Sequence, residues 1–302
     1  MNVAPLEAAL EQDPSALVCV VGQTASGKTE LATRFAAHVG GEIVTADSVQ
    51  IYREFDVGAG KPTPEELALA PHHLVSVLDP MSHASAARFV GLADAIIADV
   101  RARGRVPIVF GGTFLWVKAL VQGLAPAPPG TEEARARHRA LVEKDGREAL
   151  HEALRMVDPA SAARLHPNDV VRTSRALEVF EATGQKMSDL HAAHGFAEAR
   201  YRAKLYAIRR SPEELRARIE RRVDGFFRAG LVEEVRALLV RGRGSARAMG
   251  AVGYKEVAAY CRGEMGEAEM RGAIARATRV FARRQRTWLG HEDVTWLEPA
   301  EG

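Results

Sequence analysis

Cysteine is scarce in this chain, and the two present, Cys19 and Cys261, lie far apart. That excludes a disulfide framework or a cysteine-based zinc site and fits a reducing compartment. Long apolar runs are missing too: no uninterrupted stretch is long enough to span a bilayer, and Met1 to Asp13 has acids where a secretory signal has a basic, apolar core. The expectation is a cytoplasmic protein with no membrane partner. Charge of one sign is also lacking, the net being only +2. A near-neutral sum leaves room for a local basic face, because attraction depends on where charge sits. What remains, 47% hydrophobic and 26% charged over 302 residues, is the composition of a globular protein with room for one large domain or two modest ones.

The stretch that organises the chain is Gly22-Gln23-Thr24-Ala25-Ser26-Gly27-Lys28-Thr29, between an apolar run at Ala16 to Val21 and a helical pattern from Glu30 to His38. Strand, glycine-rich turn, Gly-Lys-Thr and helix form the full context of a phosphate-binding loop. Gly22 and Gly27 let the backbone curl so that N–H groups of Thr24, Ala25, Ser26, Gly27, Lys28 and Thr29 converge, and the helix N-terminus adds partial positive charge. Lys28 supplies a cation, and the Thr29 hydroxyl can ligate magnesium. The loop specifies a diphosphate without saying which, and ATP-binding proteins share it.

Further β-branched runs, at Gly41 to Asp47, Pro71 to Pro80 and Val106 to Phe110, alternate with helical patterns, as at Ser85 to Arg103 and Phe114 to Val121. This alternation predicts an α/β fold, a P-loop NTPase-like parallel sheet flanked by helices, with ligands at the strands' C-terminal ends. Gly58-Ala59-Gly60-Lys61-Pro62 reads as a flexible, cation-bearing loop. Ala125 to Gly130 is a stiff proline-rich linker, and helices without strands follow over Thr131 to Leu154, Pro159 to Leu165 and Asn168 to Ala182, capped by Asp158 and Asn168. A strand returns at Ala203 to Ile208, then helices, the last over Glu267 to Trp288. The expected division is a core over 1–124, an inserted all-helical subdomain over 125–200, and the rest of the core over 201–302.

Beyond the loop, Asp47, Thr24 and Thr113 fall at the same sheet edge, where a carboxylate and hydroxyls suit general-base work or magnesium coordination. Asp47 capping the next helix is the plainer alternative. Arg271 to Arg286 is rich in arginine and closes on Trp288, which suits phosphate-backbone contact and base stacking, or else a solvated face with ion pairs to Glu264, Glu267 and Glu269. Met249 to Glu256 combines close glycines with Tyr254 and Lys255, a stacking face and a cation, or a simple helix-start turn.

Together these segments resemble the tRNA dimethylallyltransferase (tRNA isopentenyltransferase) family over nearly the whole chain. The resemblance rests on the loop at 22–29, Asp47-Ser48-Val49-Gln50-Ile51-Tyr52-Arg53, Gly111-Gly112-Thr113, His166-Pro167-Asn168-Asp169, Val252-Gly253-Tyr254-Lys255-Glu256 and Arg284-Gln285-Arg286-Thr287-Trp288. Gln23 stands where the family usually has proline, and Phe114 and Trp116 are bulkier than the usual Gly and Tyr. The resemblance implies transfer of a dimethylallyl group from dimethylallyl diphosphate to N6 of the adenosine 3′ of the tRNA anticodon, by a monomer using Mg2+. It implies Asp47 as the base, Thr113 holding Asp47 or the amine in place, and Arg210 with the loop on the departing pyrophosphate. Asp47, Ser48, Val49, Gln50, Thr113, Gly250, Gly253, Tyr254, Lys255, Arg283 and Arg284 would receive the anticodon loop, and Arg135 and Arg172 of the insert would clamp its stem. A P-loop small-molecule kinase is the alternative; it would need a second acid for nucleotide-bound magnesium, and Asp79 is the one available.

Overall fold

The computed structural model describes residues 2–195 and 199–299. The chain divides into two compact units, Met1–Val121 with Arg200–Gly302, and Gln122–Ala199. The first opens with α1 (Ala4–Gln12), β1 (Leu17–Val21), α2 (Lys28–Val39) and β2 (Glu42–Ala46), then α3 (Pro64–Leu69), β3 (His72–His73), α4 (Ala86–Ala102), β4 (Pro107–Gly111) and α5 (Phe114–Gln122). The second holds α6 (Glu132–Asp145), α7 (Arg147–Val157), α8 (Pro159–Arg164), α9 (Val170–Thr183) and α10 (Met187–His194). The chain returns through β5 (Ala203–Ile208), α11 (Pro212–Arg228), α12 (Leu231–Val240), a 3₁₀ turn at Arg247–Gly250, α13 (Tyr254–Cys261), α14 (Glu267–Leu289) and β6 (Val294–Leu297).

The strands form a single parallel sheet in the order β3-β2-β4-β1-β5-β6. Every residue of β1, β2 and β4 is buried, as expected of central strands covered on both faces. Leu17, Cys19, Val21, Val44 and Val109 point to one layer of helices; Val18, Val20, Ile43 and Ile108 point to the other, where Leu31 and Phe35 of α2 pack. In a parallel sheet all C-terminal ends share an edge. The loop after β1, Asp47 after β2, Gly112 and Thr113 after β4, and Arg210 after β5 therefore meet there.

The expected strand over Pro71 to Pro80 shrinks to His72–His73. Leu74 and Ser76 adopt left-handed φ of 62° and 56°, which ends the extended run, and Ser76 and Val77 N–H donate to the carbonyls of Gln50 and Ile51. The helix expected over Thr131 to Leu154 breaks at Gly146, where φ is 87°. Ser85 and Ser211 cap α4 and α11, the latter within a full capping box. Asp169 rather than Asn168 caps α9, through Arg172 N–H. Neither α1 nor β6 is anticipated by the sequence.

The helical unit has its own core of Leu150, Leu154, Ala162, Ala176, Leu177, Val179 and Met187. Asp158 is buried in it; burial opposes its charge, but hydrogen bonds from Ser161 and Ser188 prevail and pull the carboxyl down to about 2. Arg135 pairs with buried Glu178 and with Glu132, so its guanidinium braces α6 to α9 instead of standing free for RNA. Arg172 is 75% exposed, with only a long contact to Asp169 among the described residues.

Candidate active site

The phosphate loop curls because its backbone enters conformations that most side chains resist. Gly27 has φ 98°, and Ala25 shares the left-handed region at 63°. No side chain caps α2, so its first N–H groups remain open. Two of the expected donors are already spent: Thr24 N–H donates to Gln285 Oε1 (2.7 Å) and Ser26 N–H to the Gln23 carbonyl (3.2 Å). Ala25, Gly27, Lys28 and Thr29 are left for an anion. Among the described residues the buried Ser26 hydroxyl has no hydrogen-bond partner, the state of a donor that waits for an acceptor. Lys28 Nζ rests on the Gln23 carbonyl (3.2 Å). Burial pulls this ammonium down to about 8, Arg222 pushes the same way and Asp47 opposes them.

Arginines from the β5–α11 region surround the loop. Arg210 Nε donates to the Ser26 carbonyl (3.2 Å) and Arg218 Nε to the Ala25 carbonyl (2.7 Å). A cleft of about 450 Å³ opens between Gly27, Lys28 and Thr29 on one side and Arg218, Arg221 and Arg222 on the other. Arg222 stacks on Phe226, 4.8 Å from the ring centroid. Burial draws Arg222 below the usual guanidinium range, while Asp47 and Glu66 act in the opposite sense. Arg218, Arg221 and Arg222 went unmarked in the sequence. Their i, i+3, i+4 spacing on one face of a helix that begins after Arg210 is the signal that would have found them.

Asp47 uses one oxygen to cap its own turn, accepting from Val49 N–H (2.9 Å) and Gln50 N–H (3.2 Å). Its other oxygen makes no hydrogen bond among the described residues. The carboxylate does not line the cleft, but its charge reaches both Lys28 and Arg222. Thr113 Oγ1 accepts from Ser48 N–H (3.0 Å), so it fixes the residue beside Asp47 rather than Asp47 itself.

The loop after Tyr52 is pinned, not flexible. Glu234 of α12 accepts from the N–H groups of Asp56, Val57 and Gly58 and from the Tyr254 hydroxyl. Gln50 is buried and donates to the Ala59 and Gly60 carbonyls. Lys61 Nζ donates to the Tyr52 carbonyl, Asp56 and Ser76, leaving no free cation. Tyr254 is fully buried against Phe55, with Ala59 N–H on its hydroxyl, so it offers no stacking face to a base. Gly253 is also buried, its N–H held by Glu256, while Gly250 and Lys255 are exposed.

On α14, Arg271 pairs with Glu267, whereas Arg283, Arg284 and Arg286 are exposed and form no ion pair among the described residues. Trp288 stacks on Phe114 (4.2 Å, 2° between planes) and Trp116 on Phe89 (4.7 Å), so these rings are packing elements. Asp79, which a kinase would need for metal, contacts Arg53 at 3.5 Å. Among the described residues no His, Cys, Asp and Glu gather in threes to cage a metal. Thr29 on the cleft wall does fit magnesium, which uses few protein ligands and completes its shell with water and phosphate oxygens.

Sheet, loop and arginine-walled cleft define a P-loop-type α/β protein. A family model described as IPP transferase matches residues 50–292, and one described as isopentenyl transferase matches residues 15–72. The chain belongs to the IPP transferase family. It is 59% identical to the tRNA dimethylallyltransferase of Sorangium cellulosum over 94% of this chain and 90% of that protein. The enzyme of the same name from Anaeromyxobacter dehalogenans is 51% identical, with 94% and 95% covered. The crystal structure of the full-length tRNA isopentenylpyrophosphate transferase from Bacillus halodurans superposes with a TM-score of 0.69 at 35% identity, covering 94% of this chain and 90% of that one. A eukaryotic dimethylallyltransferase acting on tRNA shares the fold, with a TM-score of 0.77 at 24% identity over 94% and 74% of the two chains. No helix among the described residues is long and apolar enough to cross a membrane.

Proposed function

We propose that this protein transfers a dimethylallyl group from dimethylallyl diphosphate to N6 of the adenosine 3′ of the anticodon in tRNA. The observation behind this reading is a diphosphate loop beside a turn-held carboxylate, in a chain belonging to the IPP transferase family.

The exocyclic amine is a weak nucleophile because its lone pair is delocalised into the ring. It attacks C1 of the allyl group; the C1–O bond breaks, pyrophosphate departs, and the amine proton passes to the free oxygen of Asp47. A positioned base of this kind contributes on the order of 10² to 10⁴ in rate. Gly27, Lys28 and Thr29 N–H groups, the Ser26 hydroxyl, the Lys28 ammonium and Arg222 stabilise the growing negative charge. Arg210 and Arg218 act one step back, holding the loop by its carbonyls. The Thr29 hydroxyl would hold a magnesium ion, which would supply further charge neutralisation. Chemistry on a base edge needs that base out of the stack, and an anticodon loop offers it unpaired. Ser48, Val49, Gly250, Lys255, Arg283 and Arg284 serve the RNA, with Arg172 of the helical unit adding affinity.

The test is mass spectrometry of tRNA after incubation with the donor and magnesium. The expected product is tRNA with one added dimethylallyl group on that adenosine; unchanged tRNA refutes the proposal, as does ATP turnover without RNA.

A further inference from the structure

Gln285 lies in α14 with exposed Arg284 and Arg286 on either side, yet its own amide is buried. A buried amide is costly unless both its ends are paired, and these are. Oε1 accepts from Thr24 N–H at 2.7 Å, and Nε2 donates to the Gly112 carbonyl at 3.0 Å. The first partner belongs to the phosphate loop after β1, the second to the turn after β4. Glycine at position 112 leaves room for this contact, since a Cβ there would sit 2.6 Å from Gln285 Nε2 and displace the amide. A second amide crosses the other way: Gln23 Nε2 donates to the carbonyl of Ala282, nearly one turn earlier on α14 (2.9 Å). Thr113, next to Gly112, holds Ser48 beside Asp47. One side chain thus ties the phosphate loop to the turn after β4, whose Thr113 holds Ser48 beside Asp47.

We propose that Gln285 is a positioning residue: it sets the spacing between the pyrophosphate loop and the Asp47 turn, with Gln23 bracing the loop against α14. This rests on the reading of the loop as the pyrophosphate site. The departing phosphate oxygen of the donor and the proton acceptor for the amine act in one transition state, so a shift of about 1 Å between their supports is felt in rate. It also accounts for the Thr24 N–H, which is spent on α14 rather than on the ligand.

The experiment compares wild type with Gln285→Met, which keeps length and removes both hydrogen bonds, and with Gln23→Ala. Affinity for pyrophosphate with magnesium is measured by calorimetry, affinity for an anticodon stem-loop RNA by fluorescence anisotropy, and kcat by transfer. Gln285→Met leaves a buried N–H and carbonyl unpaired, and the expected result is about ten-fold weaker pyrophosphate binding and about ten-fold lower kcat. RNA affinity should stay within about two-fold, because the arginines on either side are untouched. Gln23→Ala should show the same pattern at about three-fold, and it keeps the test alive should the methionine variant fold poorly. Unchanged pyrophosphate affinity and kcat in both variants would overturn the proposal. Parallel loss of pyrophosphate and RNA affinity with melting temperature would overturn it too, since that is a scaffold defect. A wild-type protein that does not bind pyrophosphate would instead remove the functional reading beneath it.

Discussion

Asp47→Asn separates the two duties that the structure gives this residue. One oxygen caps the 47–50 turn through Val49 and Gln50 N–H; an asparagine carbonyl accepts both bonds and is at home in such turns. The loss in stability should therefore be only a few tenths of a kcal/mol, whereas Asp47→Ala, which abandons both bonds, should cost about 1 kcal/mol. The other oxygen is the proton acceptor in the proposed reaction, and an amide cannot replace it. Loss of a positioned base lowers the rate by about 10² to 10⁴, so Asp47→Asn should keep its fold and its RNA affinity while kcat for dimethylallyl transfer collapses. The assay is single-turnover transfer to an anticodon stem-loop, beside thermal melting and RNA titration. If Asp47→Asn kept more than about a tenth of wild-type kcat, Asp47 would be a turn cap and nothing more.

The free-state ammonium of Lys28 is pulled down to about 8, mainly by burial, so pyrophosphate should bind best below that pH and weaken as the pH rises through it. Lys28→Arg, charged throughout, should lack this component in parallel titrations, and identical pH profiles would rule it out. Glu42, held by Arg103, His73 and Arg105 and drawn down to about 2, should stabilise the fold above the unfolded carboxyl range near 4.5. Because its folded value is depressed, that stability is lost as pH falls from about 4.5 towards 2; Glu42→Gln should cost about 2 kcal/mol at neutral pH and progressively less in acid, read by denaturant unfolding. Reversing charge at Arg283 and Arg284 should weaken RNA binding and reduce its salt slope by about 2, with pyrophosphate affinity preserved; an unaltered slope would place the RNA elsewhere.

The phosphate loop was legible because its determinants are local: glycines that permit the curl, a lysine and a threonine at fixed offsets, and a strand and helix on either side. The parallel sheet followed from alternating patterns, and the return of the chain at Ala203 to Ile208 from its apolar run. Asp47 was legible as a candidate because the end of a strand in such a sheet faces ligand. Tyr254 shows the opposite case. An aromatic beside glycines reads equally well as a stacking platform or as core, and only Glu234 and Ala59, both distant in sequence, decide that it is core.

The chain's local chemistry thus determined the form of the phosphate loop and where the sheet edge lies. Tertiary structure decided which groups are free to act: Thr24 N–H, Arg135 and Tyr254 are all engaged by partners remote from them, while Arg222 is brought to the cleft. The reason is physical. Turn geometry and helix periodicity are encoded over a few residues, whereas the partner that satisfies a buried donor or charge is chosen by packing between segments whose sequence separation carries no information about contact.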